Sequence, residues 1–254
     1  MRLAALVHLS ALTLAGLPVA AAAEPTDLVI RVISEGGKFV GTSMGGAEII
    51  VRDVRSGEVL ARGRTTGSTG DTARIMAGGP RGTPVADEAS AAFKARIDIA
   101  EPRLVVVEAY GPLAQPQAAV RVTAQRWIVP GQPATHADGW VLELPGLVLD
   151  LVEPAASQRG AAGTNIRLAA NVALMCGCPI EPGGLWDATR FDVRATVRRE
   201  GQPDSEVRLT YGGRTGYFTG AFVAEKGGAH VITVTAVDTE TGATGVDATS
   251  IVVP

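Results

Sequence analysis

Histidine, cysteine and aromatic residues are scarce in this chain. Its 254 residues include three histidines and two cysteines, and aromatic side chains make up 4%. Catalytic triads depend on a histidine, and sugar-binding sandwiches normally present several aromatic rings that stack on the apolar faces of sugars. The scarcity therefore gives little support to a hydrolase triad or to a carbohydrate-binding platform.

The chain also has no strong excess of positive or of negative charge. The formal net charge is −3, positive and negative residues are interspersed, and no basic block occurs. A chain without a basic segment is a poor partner for nucleic acid or an anionic membrane. No P-loop or EF-hand sequence is present, and no spacing of carboxylates favours an acid–base pair. We therefore expect a protein that is not an enzyme and does not bind nucleic acid.

The N-terminal segment has the composition of a secretory signal peptide. Arg2 supplies a positive charge, residues 3–17 form an apolar stretch too short to span a bilayer comfortably, and Pro18 ends it. Small residues at 21–23 fit a cleavage site. We expect residues 1–23 to be removed, which leaves a periplasmic or secreted protein that starts at Glu24. Beyond this segment no apolar run approaches the length of a membrane span, so the mature chain should have no transmembrane segment.

The remainder of the chain has the pattern of short β-strands separated by turns. Runs rich in β-branched residues alternate with turn sequences, and Asp-led turns containing glycine follow strands at residues 53–57 and 238–242. Residues 65–92 lack a sustained period and should form a long exposed loop, with a short helical turn at residues 87–93. In the second half, alternate residues of 166–174 and of 191–197 are apolar, which predicts strands with one buried face.

The length indicates two domains rather than one. Removal of 23 residues leaves 231, too many for one small sandwich. The dipeptide Pro145-Gly146 marks the expected boundary. We therefore expect an all-β protein with two antiparallel β-sandwich domains, at residues 24–145 and 146–254.

Two family resemblances accompany this pattern. Residues 46–53 and 56–61 (Gly-Ala-Glu-Ile-Ile-Val-Arg-Asp and Ser-Gly-Glu-Val-Leu-Ala) resemble the carboxypeptidase-regulatory-like domain, a transthyretin-like sandwich. Residues 216–218 and 228–236 resemble the last strands of bacterial immunoglobulin-like domains. The resemblances imply a transthyretin-like domain followed by an immunoglobulin-like domain. Both families usually serve as accessory or recognition modules, and neither supplies catalytic residues for positions of this chain.

The two cysteines, Cys176 and Cys178, flank Gly177 at the end of a predicted strand. In an extended strand their Cβ atoms would lie roughly 6–7 Å apart, too far for a disulfide. A local disulfide therefore requires a turn at Gly177, the residue that tolerates one best. Export to an oxidising compartment favours this interpretation. Pairing between two molecules is a further possibility.

The same pair also fits a metal clamp or a redox site. Two thiolates are efficient ligands for Cu(I) or Zn(II), and Met175 or Met44 would add a thioether suited to copper. A closed site needs more ligands, and nothing in the sequence brings His136 or His230 close. Thiol–disulfide redox chemistry would need an activating cation or helix N-terminus, which Pro179 and its neighbours do not offer. The sequence leaves these interpretations open.

The leading functional prediction is an exported accessory protein that binds a partner protein or a cell-envelope component. The first alternative is a periplasmic copper-binding protein that uses Cys176, Cys178 and Met175, and the second is a thiol–disulfide redox protein. The three tryptophans are ambiguous. Trp127, Trp140 and Trp186 lie beside turn-rich stretches and fit core anchors as well as binding residues, with Trp186 favoured as a buried plug.

Overall fold

The computed structural model describes residues 22–80 and 82–254. The predicted signal peptide lies outside the described residues, except for Ala22 and Ala23, which are exposed and without regular secondary structure. Among the described helices, none has both the length and the hydropathy needed to cross a membrane. The fold is all-β, as predicted, and its strands group into sheets on either side of Pro145-Gly146.

The N-terminal half, residues 24–144, contains two sheets that pack face to face. The strands are β1 (Glu24–Ser34), β2 (Glu48–Asp53), β3 (Val59–Arg64), β4 (Phe93–Ile99), β5 (Arg103–Gly111), β6 (Val120–Ile128) and β7 (Trp140–Leu144). One sheet has the strand order β4-β1-β7 and the other has the order β3-β2-β5-β6. The β1–β7 pair is parallel and the other pairs in these sheets are antiparallel.

The C-terminal half, residues 147–253, forms a continuous run of strands that folds into two layers. The strands are β8 (Leu147–Glu153), β9 (Asn165–Leu174), β10 (Ile180–Glu181), β11 (Trp186–Asp187), β12 (Phe191–Arg199), β13 (Ser205–Tyr211), β14 (Tyr217–Val223), β15 (Gly228–Asp238) and β16 (Thr244–Val253). The order of the continuous run is β16-β15-β12-β13-β14-β9-β8. Strand β13 passes between the layers, because residues 205–209 pair with β12 whereas residues 210–211 pair with β14. Strands β10 and β11 pair separately as a short parallel ladder.

The alternation predicted for the C-terminal half is confirmed. The apolar residues at alternate positions of β9 and β12 are buried in one core with residues of β14, β15 and β16. The opposite face of β12 carries charged side chains that pair across the sheet. Arg194 lies 2.9 Å from the carboxylate of Asp192 and 3.6 Å from that of Glu206. Burial of one face therefore fixes the register of the strand, as the sequence pattern required.

Residues 65–92 contain a helix that lies outside the predicted segment. The helix α1 (Thr72–Ala77) begins at Asp71, whose carboxylate accepts a hydrogen bond of 2.7 Å from the backbone N–H of Arg74. The prediction of a helical turn at 87–93 is wrong, because Asp87 and Ser90 close a tight turn there and β4 starts at Phe93. The capping role of Asp71 is the signal that the sequence offered for the actual helix.

The predicted domain boundary coincides with a change in strand pairing. Among the described residues, no named strand of the N-terminal half pairs with one of the C-terminal half. Each half has its own apolar core, although Val148 and Met175 from the C-terminal half pack into the N-terminal core. That the two halves are independent domains stays a prediction. The transthyretin-like character of the first half also stays a prediction.

Candidate functional site

The Cys-Gly-Cys loop, residues 176–178, connects β9 to β10. Gly177 has φ +72°, and its N–H donates to the carbonyl of Leu174 at 2.8 Å, which makes the turn that the sequence required. The turn brings the Cα atoms of Cys176 and Cys178 to 5.4 Å, and the two sulfur atoms lie at disulfide-bonding distance. Neither cysteine is free.

The loop is buried, although it lies at the end of a strand. Cys176 is 1% exposed and Cys178 is 3% exposed, and both belong to the apolar core of the C-terminal half. The reason is that the N-terminal half packs directly over the loop. A Cβ atom on Gly37 would lie 3.0 Å from the sulfur of Cys176, so the bare glycine backbone sits against that sulfur.

Further contacts extend this junction on both sides of the loop. A Cβ atom on Gly177 would lie 2.6 Å from Sδ of Met44, which leaves room for glycine alone. The indole Nε1 of Trp186 donates to the carbonyl of Gly36 at 2.9 Å, so Trp186 is a buried plug, as favoured, and also a hydrogen-bond donor across the junction. Gly36 in turn lies against the methyl group of Thr241. The cysteine loop is thus part of the contact between the two halves.

The thioether of Met175 does not join the two sulfurs. Its side chain packs into the N-terminal core, whereas both cysteines pack into the C-terminal core. Neighbouring residues of an extended chain point to opposite faces, which explains the separation. Within the described ranges, no cluster of three or more His, Cys, Asp or Glu side chains has the geometry to hold a metal ion. Copper binding and thiol redox chemistry stay predictions without support from the geometry.

A short segment before strand β2 matches a hydrolase motif in sequence. Residues 41–45, Gly-Thr-Ser-Met-Gly, have the Gly-x-Ser-x-Gly spacing of a hydrolase nucleophile elbow. In an elbow the serine joins a strand to an α-helix. Here Ser43 lies in a single turn of 3-10 helix (Thr42–Met44) that leads into strand β2. The structural context of an elbow is therefore missing at this serine.

The most exposed tryptophan marks a second candidate site. Trp127 is 59% exposed near the end of β6, whereas Trp140 and Trp186 are buried. Its strand runs from Val120, which lines a groove at the junction, to this distal end of the N-terminal half. The signal was available in the sequence, because Val120, Val122 and Ala124 alternate toward the core and place Trp127 on the polar face.

Trp127 borders a groove of about 250 Å³ at the tip of the N-terminal sandwich. It lies opposite Leu104 in the β5–β6 pairing, and the β2–β3 hairpin forms the other wall. The exposed side chain of Val54 extends the apolar surface of this wall. The lining residues are Asp53, Val54, Arg55, Ser56, Glu101, Pro102, Arg103, Leu104 and Trp127.

Hydrogen bonds and ion pairs fix the rim of this groove. Oδ1 of Asp53 accepts hydrogen bonds from the backbone N–H and the hydroxyl of Ser56, at 2.7 and 3.0 Å. The backbone bond from Ser56 is the main reason why the pKa of Asp53 is lowered. Arg103 lies 3.0 Å from the carboxylate of Glu58 and 3.6 Å from that of Asp53. The hairpin and the start of β5 are thereby held together beside Trp127.

Comparison with known proteins identifies no family. No protein-family model and no curated protein matches the chain. Similar solved structures include an engineered protein at 1.98 Å resolution, with 18% identity over 46% of this chain and 22% of that chain and a TM-score of 0.33. The chain thus corresponds to less than a quarter of that protein's length.

Two β-domain structures match over more of the chain. The fibronectin(III)-like modules of Clostridium thermocellum CbhA match with 12% identity, 82% and 78% coverage of the two chains and a TM-score of 0.28. The complex of Dpr11 IG1 with DIP-gamma IG+IG2 matches with 12% identity, 91% and 98% coverage and a TM-score of 0.22. The sandwich fold itself follows from the strand order and the buried faces described above.

Proposed function

We propose that this chain is an exported, non-enzymatic binding protein that recognises a partner protein through the groove beside Trp127. The observation that carries the proposal is the exposure of that indole ring in a chain whose other two tryptophans are buried. Tryptophan and arginine dominate the binding energy of protein interfaces, because they combine a large apolar surface with a polar group. Trp127 offers such an anchor, with Arg55 and Arg103 beside it.

The fixed rim of the groove favours binding further. A surface that is already ordered loses less conformational entropy when a partner docks on it. Asp53, Ser56 and Arg103 hold the hairpin against the start of β5, so the groove keeps its shape without a ligand. A protein fits this surface better than an envelope polysaccharide, since a sugar chain normally stacks on several rings and a single tryptophan is exposed here.

Variants of the mature protein test the role of Trp127. Immobilised wild-type protein, Trp127→Ala and Leu185→Ala would each be incubated with envelope extract of the source organism, and the captured proteins quantified by mass spectrometry. Leu185 is a matched control, because it is 53% exposed in the loop before Trp186. We expect wild type and Leu185→Ala to capture the same partner protein in similar amounts. Trp127→Ala should capture about tenfold less of it, the loss typical of a strong anchor. Identical captures by all three proteins would contradict the proposal.

Export is the second element of the proposal. The composition of residues 1–23 supports it, and a cleaved protein would reach its partner in the envelope or outside the cell. Cell fractionation followed by N-terminal sequencing tests this point. We expect the protein in the periplasmic or culture fraction with Glu24 as its first residue, and a cytoplasmic protein that retains Met1 would overturn the export prediction.

A further inference from the structure

A polar cavity of about 310 Å³ lies at the end of the C-terminal half that faces away from the cysteine loop. Strand β15 starts at this cavity and ends at Asp238, beside the turn whose Thr241 contacts Gly36 at the junction. The volume is in the range of pockets that take small molecules. The lining residues are Val197, Arg199, Gln202, Pro203, Ser205, Phe222, Val223, Glu225, Lys226 and His230.

The wall of the cavity contains a buried histidine with a defined orientation. His230 is 5% exposed, and its ring lies 6.1 Å from that of Phe222 between ring centroids. Nδ1 is 3.1 Å from the carbonyl oxygen of Gly228. A carbonyl oxygen only accepts hydrogen bonds, so we assign the hydrogen to Nδ1, and in this tautomer Nε2 is an acceptor. The hydrogen bond of the His230 side chain within the described part of the chain is made by Nδ1, which leaves Nε2 available to a ligand.

Two cationic residues, Arg199 and Lys226, line the same cavity as this histidine. Nη1 of Arg199 donates to the carbonyl of Gly227 at 3.1 Å, which holds the guanidinium at the cavity. Within the described ranges, neither Arg199 nor Lys226 forms an ion pair. Glu225 is the one carboxylate among the lining residues. The cavity therefore carries an excess of positive charge, which favours an anion.

We propose that this cavity binds a small organic anion that also carries a hydroxyl group, either a hydroxy acid or a phosphate monoester of a polyol. The anionic group lies at Arg199 and Lys226, whose N–H groups make charge-assisted hydrogen bonds to it. The hydroxyl group donates to Nε2 of His230. The apolar side chains of Phe222 and Val197 pack against the carbon skeleton of the ligand. This site is separate from the groove at Trp127.

Four probes of similar size separate the parts of this proposal. Calorimetric titration of the mature protein with glycerate, propionate, glycerol and glycerol phosphate compares ligands with both groups, with the anion alone and with hydroxyls alone. We expect glycerate or glycerol phosphate to bind at least about fivefold more tightly than propionate, and glycerol to bind weakest, because each lost hydrogen bond lowers affinity. Whichever of glycerate and glycerol phosphate binds more tightly identifies the anionic group of the ligand as a carboxylate or a phosphate. Equal affinity for all four probes, or no binding of any, would overturn the proposal.

Substitutions then place the ligand in the cavity. Lys226→Gln removes an exposed cation without removing a packed side chain, and we expect about a fivefold or greater loss of affinity for the better probe. Lys94→Gln, which removes an exposed cation from the N-terminal half, is the matched control and should bind like wild type. Unchanged binding in Lys226→Gln would place the ligand elsewhere and contradict the proposal.

The histidine contact has its own readout. On titration with the better probe, the ring signals of His230 in an NMR spectrum of labelled protein should shift, whereas those of His136 should not. Trp127→Ala should bind the probe as wild type does, so failure of this site and failure of the tryptophan groove are distinguished. Shifts confined to His136, or absent from both rings during saturable binding, would contradict the assigned position.

Discussion

The Cys-Gly-Cys loop and the Trp127 groove differ in what their residue types promise and in what the fold makes of them. The loop holds the rarest and most reactive side chains of the chain, yet it is sealed between the two halves. The groove holds ordinary residue types, yet it leaves an indole ring in solvent at a tip. Burial, which is set by residues distant in sequence, therefore decides whether a distinctive residue is structural or functional.

The two regions should therefore respond in opposite ways to substitution. Changes at the junction should reduce stability. The fraction of the protein that stays folded should still bind its partner. Changes at the groove should remove binding and leave stability nearly unchanged.

The largest effect is expected from the double substitution Cys176→Ser and Cys178→Ser. Each serine would place a hydroxyl group in an apolar core without a partner, at a cost of about 1–3 kcal/mol each. So small a ring restricts the unfolded chain little, so most of the loss comes from the buried contacts. We expect the free energy of unfolding in urea, followed by tryptophan fluorescence, to fall by about 3–5 kcal/mol.

A double alanine variant at the same positions sharpens this test. Alanine leaves a cavity and buries no polar group, so the loss should be smaller than with serine. Equal stability of wild type and both variants would show that the loop contributes nothing to the packing of the halves. That result would contradict a structural role for the junction.

The next effect comes from the ion pair that holds the turn beside the junction. Arg190 donates two hydrogen bonds to the buried carboxylate of Asp238, at 2.8 and 2.5 Å, and contacts Glu240 at 2.6 Å. Burial of Asp238 by itself would raise its pKa, but the bonds from Arg190 and from the N–H of Glu240 lower it overall. We expect Asp238→Asn to cost about 2 kcal/mol at pH 7, because Arg190 loses its buried partner but keeps Glu240.

The sign of the pH dependence follows from the lowered pKa of Asp238. The pair contributes its full stability above the pKa of an unfolded aspartate, about 3.9, and loses it as the pH falls through the folded value. Urea unfolding from pH 6 to pH 2 should therefore show a shallower acid loss in Asp238→Asn than in wild type. Asp204→Asn, which removes an exposed partner of Arg198, is the control and should leave neutral-pH stability unchanged. Parallel curves for wild type and Asp238→Asn would refute the prediction.

A smaller effect is expected when one hydrogen bond across the junction is removed. Trp186→Phe keeps an aromatic ring in the core but deletes the Nε1–H that donates to Gly36. The carbonyl of Gly36 then loses its partner, at a cost of about 1–2 kcal/mol. Since this bond joins the two halves, calorimetry should also show their unfolding transitions move apart. A single unshifted transition would indicate that other contacts couple the halves.

The strands could be predicted from the sequence because the pattern that specifies each strand lies within a few neighbouring residues. Alternate burial along β9 and β12 follows from a period of two, and Gly177 supplies the turn between the cysteines whatever surrounds it. The burial of that loop is not local information. The carbonyl that receives the bond from Trp186 belongs to Gly36, 150 residues earlier in the chain. No sequence pattern within a few residues of the cysteines predicts such a contact.

The exposure of Trp127 is local information in the same sense, whereas the groove beside it is not. Alternation along β6 places Trp127 opposite to the inward residues, so its exposure followed from the strand assignment. The groove beside it did not, because three chain segments come together only in the folded protein. The alternation of a single strand predicts which way a side chain points, and the tertiary fold decides what it meets there.

The smallest change in stability is expected at Trp127 itself. Its ring is mostly in solvent, so Trp127→Ala removes little buried surface, and the free energy of unfolding should change by less than about 0.5 kcal/mol. The fluorescence spectrum should lose its most red-shifted component, because an exposed indole emits at longer wavelength than the buried rings of Trp140 and Trp186. A loss of stability comparable to that of Trp186→Phe would mean that Trp127 is a packing residue. The contrast between the junction and the tip would then disappear, since both would be parts of one structural core.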